Sequence, residues 1–145
     1  MQPFPHTYTV GASGEASGQV ALTAQGVPRL LSTAPREFDG PGDHWSPESL
    51  LCAAMASCFV LTFRAVARAS KLEWSHLECR VEGTLERIEG TTLFTRLVTH
   101  ATLSVSATAN IDLCTKVLEK SEHGCLVANS LRSQRELKTE VVTLT

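Results

Sequence analysis

Aromatic residues are scarce in this chain: five Phe, two Trp and one Tyr among 145 residues. Positive charge is not in excess either, because 13 Lys and Arg face 15 Asp and Glu for a net charge of −2. A nucleic-acid-binding surface needs a basic cluster and usually stacking aromatics, so the composition argues against that class. The longest apolar run, Leu50 to Phe63, is stopped by Arg64 and is shorter than the about 20 residues of a membrane span. It reads as a buried helix. The first residues carry Pro3 and Pro5 and no basic stretch, unlike a secretory leader, so a cytoplasmic protein that makes no membrane contact is expected. No repeat or low-complexity linker divides the chain, and a single domain over residues 1–145 is expected. The cysteines Cys52, Cys58, Cys79, Cys114 and Cys125 contain no C-x-x-C pair. Structural zinc is therefore not expected, and neither is any other metal or cofactor. In a reducing compartment an odd set of five cysteines is either buried or reactive.

What is present is a well-mixed globular composition, 43% apolar and 19% charged. Thr7–Val10 reads as a short strand ended by the turn-prone Gly11-Ala-Ser-Gly14. Gln19–Ala24 and Val27–Ser32 flank Gln25-Gly26 as a hairpin, and residues 35–44 read as loop. Ser46-Pro47-Glu48 is a helix start with a capping hydroxyl, proline at the first helical position and an acid in the first turn. The helix it opens is expected to run to about Ser70. Two strands follow, one carrying Leu77, Cys79 and Val81 on one face, the other Leu97, Thr99, Ala101, Leu103 and Val105, joined at Glu89-Gly90. Asn110 is placed to cap a second helix with Ile111, Cys114, Val117 and Leu118 at helical spacing. Gly124 breaks it, a short helix begins near Cys125, and Leu137–Leu144 is a last strand. The order is α+β rather than a repeating βαβ series.

The first half of the long helix, Leu50 to Phe59, is apolar or small all round and must be covered on every side. Its small residues Cys52, Ala53, Ala54, Ala56 and Ser57 allow close approach of a second helix. Cys58 lies within it and Cys125 at the later helix break. A reactive thiol requires a thiolate, which needs nearby positive charge, a helix N-terminus or hydrogen-bond donors. The short helix at Cys125 offers such a field to Cys125, whereas Cys58, mid-helix, needs an outside partner such as Arg36, Arg29 or Arg64. Cys52, Cys79 and Cys114 read as core.

Ser32-Thr-Ala-Pro-Arg-Glu37, Asp39-Gly-Pro-Gly42, Ser46-Pro-Glu-Ser-Leu50 and Ala53-Ala-Met-Ala-Ser-Cys-Phe59 resemble the first half of the OsmC/Ohr family. Gly124-Cys-Leu-Val-Ala-Asn-Ser-Leu131 resembles that family's second cysteine motif. The resemblance implies an OsmC-like α+β fold, with antiparallel sheets, a long central helix and an intertwined homodimer. It implies a thiol peroxidase that reduces organic hydroperoxides. Cys58 would be the peroxidatic cysteine, Cys125 the resolving one and Glu48 the carboxylate that orients a catalytic arginine. Gly11–Gly18, where the Ohr branch carries that arginine, has none, so the loop residue Arg36 is the candidate. The oxidised pair would be a Cys58–Cys125 disulfide, returned to thiols by a reductant that could be of the dihydrolipoyl type.

One constraint comes from helix geometry alone. Glu48 precedes Cys58 by ten residues, about 15 Å along a continuous helix, so the two cannot meet within one helix. An antiparallel partner helix crossing near Ala53 would set Glu48 of one chain level with Cys58 of the other. Phe38, Trp45, Phe59 and Phe63 are the aromatics available to make the Cys58 surroundings apolar. Two other readings keep the same residues. One is a redox sensor or binder of a hydrophobic small molecule without turnover. The other is a cysteine–histidine acyl transferase using His123 beside Cys125.

Overall fold

The structure, a computed structural model, describes residues 1–145. The chain forms two compact units, Met1–Leu50 and Leu51–Thr145.

The N-terminal unit holds a three-stranded antiparallel sheet of β1 (Gly11–Ser13), β2 (Val20–Thr23) and β3 (Leu30–Ser32), in that order. The β2–β3 hairpin turns where Gln25-Gly26 predicts, with Gly26 at φ 79°. β1 corrects the sequence reading: Gly11–Ser13 pairs with residues 21–23, while Thr7–Val10 is unpaired. Strand formation is a matter of backbone pairing, and a local alternating pattern without a neighbour does not supply it. The loop after β3 contains one 3₁₀ turn, Arg36–Phe38. This unit buries no hydrophobic residue; its buried side chains are Ser32, Thr33 and Ser46.

Helix α1 (Pro47–Ala69) begins at the expected cap. The Ser49 N–H donates to Ser46 Oγ at 3.1 Å and the Ser46 N–H to Ser49 Oγ at 2.9 Å. This is a reciprocal capping box with serine in the place usually held by glutamate. At the other end the Lys71 N–H donates to the Arg68 carbonyl and the Leu72 N–H to the Ala67 carbonyl. That pattern is a Schellman closure with buried Leu72 beyond it. Lys71 occupies its left-handed position at φ 56°.

The C-terminal unit carries a second three-stranded sheet, ordered β4 (His76–Ile88), β5 (Thr91–Ser106), β6 (Gln134–Leu144). β4 and β5 form a hairpin whose two loop residues, Glu89 and Gly90, both have positive φ, as a twist-matched two-residue turn requires. β5 and β6 run parallel, so the sheet is mixed, not purely antiparallel as expected. The reason is the crossover: α2 (Ile111–Gly124) and α3 (Leu126–Asn129) return the chain to the starting end of β5, and a strand laid down from there is parallel. Asn110 caps α2, its Oδ1 accepting from the Leu113 N–H at 3.1 Å.

Met55, Phe59, Phe63 and Ala67, spaced by four, are the buried stripe of α1. Phe59, Phe63 and Ala67 pack with Leu77, Ala101, Leu103, Val105, Cys114, Val117 and Leu118 in one core cluster, and Met55 with Leu97, Cys125 and Ala128 in another. By length and composition α1 is long enough to cross a bilayer, with mean hydropathy 2.0 over an 18-residue window, of which 22% is buried. Its stripe instead seats it on a protein core. Replacing Lys71 with glycine removes the left-handed strain and is expected to raise stability by about 1 kcal/mol. In denaturant and thermal melts that is a Tm higher by about 3 °C.

Candidate functional site

Of the four candidate residues, the structure brings Cys58 and Cys125 together within the C-terminal unit. Cys58 lies on α1, half-buried. Cys125, fully buried, is the residue between α2 and α3. Both border the smaller core cluster, in which Cys52, Val81, Phe94, Val127 and Leu131 pack around Met55, Leu97 and Ala128. The aromatic in this cluster is Phe94. Phe59 and Phe63 face the larger cluster instead, which corrects the expectation that they would surround Cys58. They sit one and five residues past it on the helix and turn onto another face. Gly83 of β4 is required here, since a Cβ would stand 2.8 Å from the Phe94 ring and 2.9 Å from Cys52 Sγ.

The two sulfurs have opposite electrostatics. Burial pushes the Cys58 thiol up, but it is outweighed by the Val127 N–H, the Cys125 thiol, the Thr62 hydroxyl and the Leu126 N–H, so Cys58 ionises below the ordinary cysteine range. Thr62 Oγ1 lies 3.8 Å from its sulfur. Cys125 is pushed up to about 11, chiefly by burial, with the Ala128 N–H opposing and the neighbouring Cys58 and Glu122 adding to the rise. Its thiol also donates to the Met55 carbonyl at 3.9 Å. The site therefore holds one sulfur that ionises more readily than an ordinary cysteine and one that ionises less readily.

The source of the Cys58 donors was missed from sequence. The main-chain N–H groups of Val127 and Leu126, with the Cys125 thiol and the Thr62 hydroxyl, favour ionisation of Cys58, while Arg36, the arginine expected from the sequence, lies in the N-terminal unit. The one available signal was the helix break at Gly124-Cys125, which frees the next N–H groups from internal bonding. The cysteine–histidine pairing is not formed: His123 is exposed and contributes its carbonyl, which accepts from Asn129 Nδ2 at 3.0 Å.

Glu48 and Arg36 belong to the N-terminal unit. No ion pair joins them. Glu48 Oε1 is buried without a hydrogen-bond partner. It lines an apolar pocket of about 460 Å³ with Val20, Leu22, Pro35, Phe38 and Leu50. Arg36 lies across Gly42, which has φ 76° and where a Cβ would come within 1.9 Å of Arg36 Nε, so only glycine admits this placement of the guanidinium.

Comparison with known proteins agrees with this architecture. The family model described as OsmC-like protein matches residues 40–140. Protein YmaD of Bacillus subtilis is 28% identical over 109 residues, 73% of each chain. The crystal structure of the organic hydroperoxide resistance protein OsmC of Legionella pneumophila is similar at TM-score 0.76 and 26% identity, covering 97% of this chain and 99% of that one. The organic hydroperoxide resistance protein OhrB of Bacillus subtilis shares the fold at TM-score 0.69 and 19% identity, over 94% and 98% of the two chains.

Two measurements follow from the titration pattern. In the reduced protein, alkylation mapped by peptide mass is expected to label Cys58 before Cys125 at every pH below about 11. Burial, with smaller contributions from Cys125 and Glu122, pushes Cys79 up to about 12. Both Cys79 and Cys125 thus hold protons in the folded state that an unfolded cysteine loses near pH 8.5. The stability they contribute is whole below that pH and is lost as pH rises through about 11 for Cys125 and about 12 for Cys79. Cys79→Val is expected to make alkaline unfolding shallower in pH-dependent melts.

Proposed function

Since the chain belongs to the OsmC-like protein family, we propose that it is a cysteine-based peroxidase that reduces organic hydroperoxides. The observation that carries the reading is the Cys58–Cys125 pair, one thiol held below and the other above its ordinary range. The similarity to a Legionella organic hydroperoxide resistance protein supports the substrate class, as does the apolar cluster around the sulfurs.

The Cys58 thiolate attacks the distal peroxide oxygen, the O–O bond breaks, and the alkoxide leaves as alcohol after taking one proton. Cys58 is then a sulfenic acid. The Cys125 sulfur attacks it, and its proton leaves with the hydroxyl as water while the Cys58–Cys125 disulfide forms. A dithiol reductant, of the dihydrolipoyl type, returns both sulfurs to thiols with two electrons and two protons. In this reading the arginine of the site is Arg36, whose planar fork holds the peroxide oxygens, and Glu48, with which it forms no ion pair within the single chain, aims it once the site is assembled.

Because Glu48 and Cys58 are about 15 Å apart along their helix, the site is composite and the active form is a homodimer with α1 crossing its partner antiparallel. Two observations support this. Only 22% of the apolar window of α1 is buried within the chain, and the N-terminal unit buries no hydrophobic residue of its own. In this reading residues 1–145 act as one OsmC-like domain, in the cytoplasm. A binder of hydrophobic molecules without turnover is the second reading, favoured by the apolar pocket beneath Phe38.

Mixing the reduced protein with one equivalent of an alkyl hydroperoxide is expected to give a Cys58–Cys125 disulfide by peptide mass, and none in Cys58→Ser. Cys125→Ser should stop at a sulfenic acid that a dione probe captures. Arg36→Ala is expected to lower kcat/KM about a hundredfold, the usual cost of losing one donor to a developing charge. A wild-type protein that leaves every peroxide intact yet binds the alkyl chain would favour the second reading.

A further inference from the structure

The turn that carries Cys125 is braced by a single side chain on the neighbouring strand. Arg135 of β6 donates from Nε to Glu122 Oε1 at 2.8 Å and from Nη1 to Asn129 Oδ1 at 2.8 Å. Its Nη2 donates to the Glu122 carbonyl. Glu122 lies in the last turn of α2 and Asn129 ends α3, so one guanidinium grips the chain on both sides of Cys125. Asn129 extends the grip, donating from Nδ2 to the His123 carbonyl at 3.0 Å and from its N–H to the Cys125 carbonyl at 2.9 Å.

This brace has something to hold. α3 is four residues long, one turn, and an isolated turn does not persist in water because nucleation fixes several dihedrals for a single hydrogen bond. Yet Val127 and Ala128 of that turn, and Cys125 just before it, pack in one cluster with Cys58, and a main-chain donor assists a thiolate only while it is kept in place. Cys125 has no side-chain cap to offer the turn. The order of the turn must therefore come from contacts outside it.

We propose that Arg135 is a positioning residue, which by holding Glu122 and Asn129 keeps the first turn of α3 aimed at Cys58. The inference rests on the reading of Cys58 as the reactive thiolate and adds what maintains it. A planar fork suits the task, because three separate acceptors are met at fixed angles, which an ammonium cannot do. Arg135 also compensates the Glu122 carboxylate, whose Oε2 is buried without a partner. The other titratable groups near the pair are Cys79 of β4 and Cys52 of α1. Neither is a cation that could take over that compensation. Loss of Arg135 thus loosens the turn packed against Cys58 and leaves the Glu122 charge bare beside Cys125, and the loosened turn disfavours the Cys58 thiolate.

The test is the pH dependence of Cys58 alkylation by iodoacetamide in the reduced full chain, read at the Cys58 peptide. Arg135→Met is expected to slow alkylation near neutral pH about tenfold and to move its midpoint up by about one pH unit, leaving the limiting rate at high pH unchanged. Arg135→Lys should recover part of the shift, and Asn129→Ala should show a smaller shift of the same sign. A residue that merely stabilises the fold would lower Tm and leave the midpoint where it was. That result in any folded variant overturns the proposal. If Arg135→Met does not fold, Asn129→Ala and Arg135→Lys decide it by the same readout. Hydroperoxide consumption is measured separately. A wild-type chain with a low alkylation midpoint that consumes no peroxide refutes the catalytic reading and leaves the brace standing. Full peroxide turnover with unmoved midpoints in the variants refutes the brace alone.

Discussion

The cost of ionising a sulfur in apolar surroundings is the constraint around which Cys58 and its neighbours in the C-terminal unit are arranged. Packing Cys58 beside Met55, Leu97 and Val127 raises the cost of ionising it, and hydrogen-bond donors close to the sulfur lower that cost. Its own helix gives only the Thr62 hydroxyl, because the N–H groups of a helix interior are committed to carbonyls four residues back. The other donors have to come from the start of a different helix, where N–H groups are unspent. That requirement accounts for the break at Gly124 and Cys125, which ends one helix and begins another beside the thiol. It also accounts for Cys125 being where it is. The residue at the break is at once the neighbour of those donors and the second sulfur.

The long helix meets a second constraint. Its stripe of Met55, Phe59, Phe63 and Ala67 satisfies one side, and Leu61 remains 57% exposed on another. An apolar helix with one face covered and a three-stranded sheet with no apolar core are each incomplete as folding units. Glu48 and Arg36 lie in the N-terminal unit and both cysteines in the other.

Features governed by local rules were legible in the sequence. The Ser46 cap, the Asn110 cap, the Glu89-Gly90 turn and the interruption at Gly124 each follow from the stereochemistry of a few adjacent residues. The quoted motifs around Cys58 and Cys125 likewise carried the family resemblance. What was not legible depends on partners distant in the chain. Gly11–Ser13 is a strand because residues 21–23 lie beside it, and nothing in three small residues announces that. The parallel run of β6 depends on where a two-helix crossover delivers the chain. The Cys58 donors are main-chain groups, which leave no mark in an amino-acid sequence. Arg135 lay outside the strand expected at Leu137–Leu144, and its three acceptors are defined only once α2, α3 and β6 have come together.

The parallel placement of β6 has a temporal side. A hairpin such as β4–β5 can close as soon as both strands exist, but β6 must wait for the whole crossover, and its pairing with β5 spans a long loop. During synthesis Cys58 leaves the ribosome many residues before Arg135 does. Until that last strand docks, α3 is a single turn without the Arg135 contacts to Glu122 and Asn129. The order of elements along the chain thus makes the strand that braces the turn beside Cys58 the last element to be synthesised.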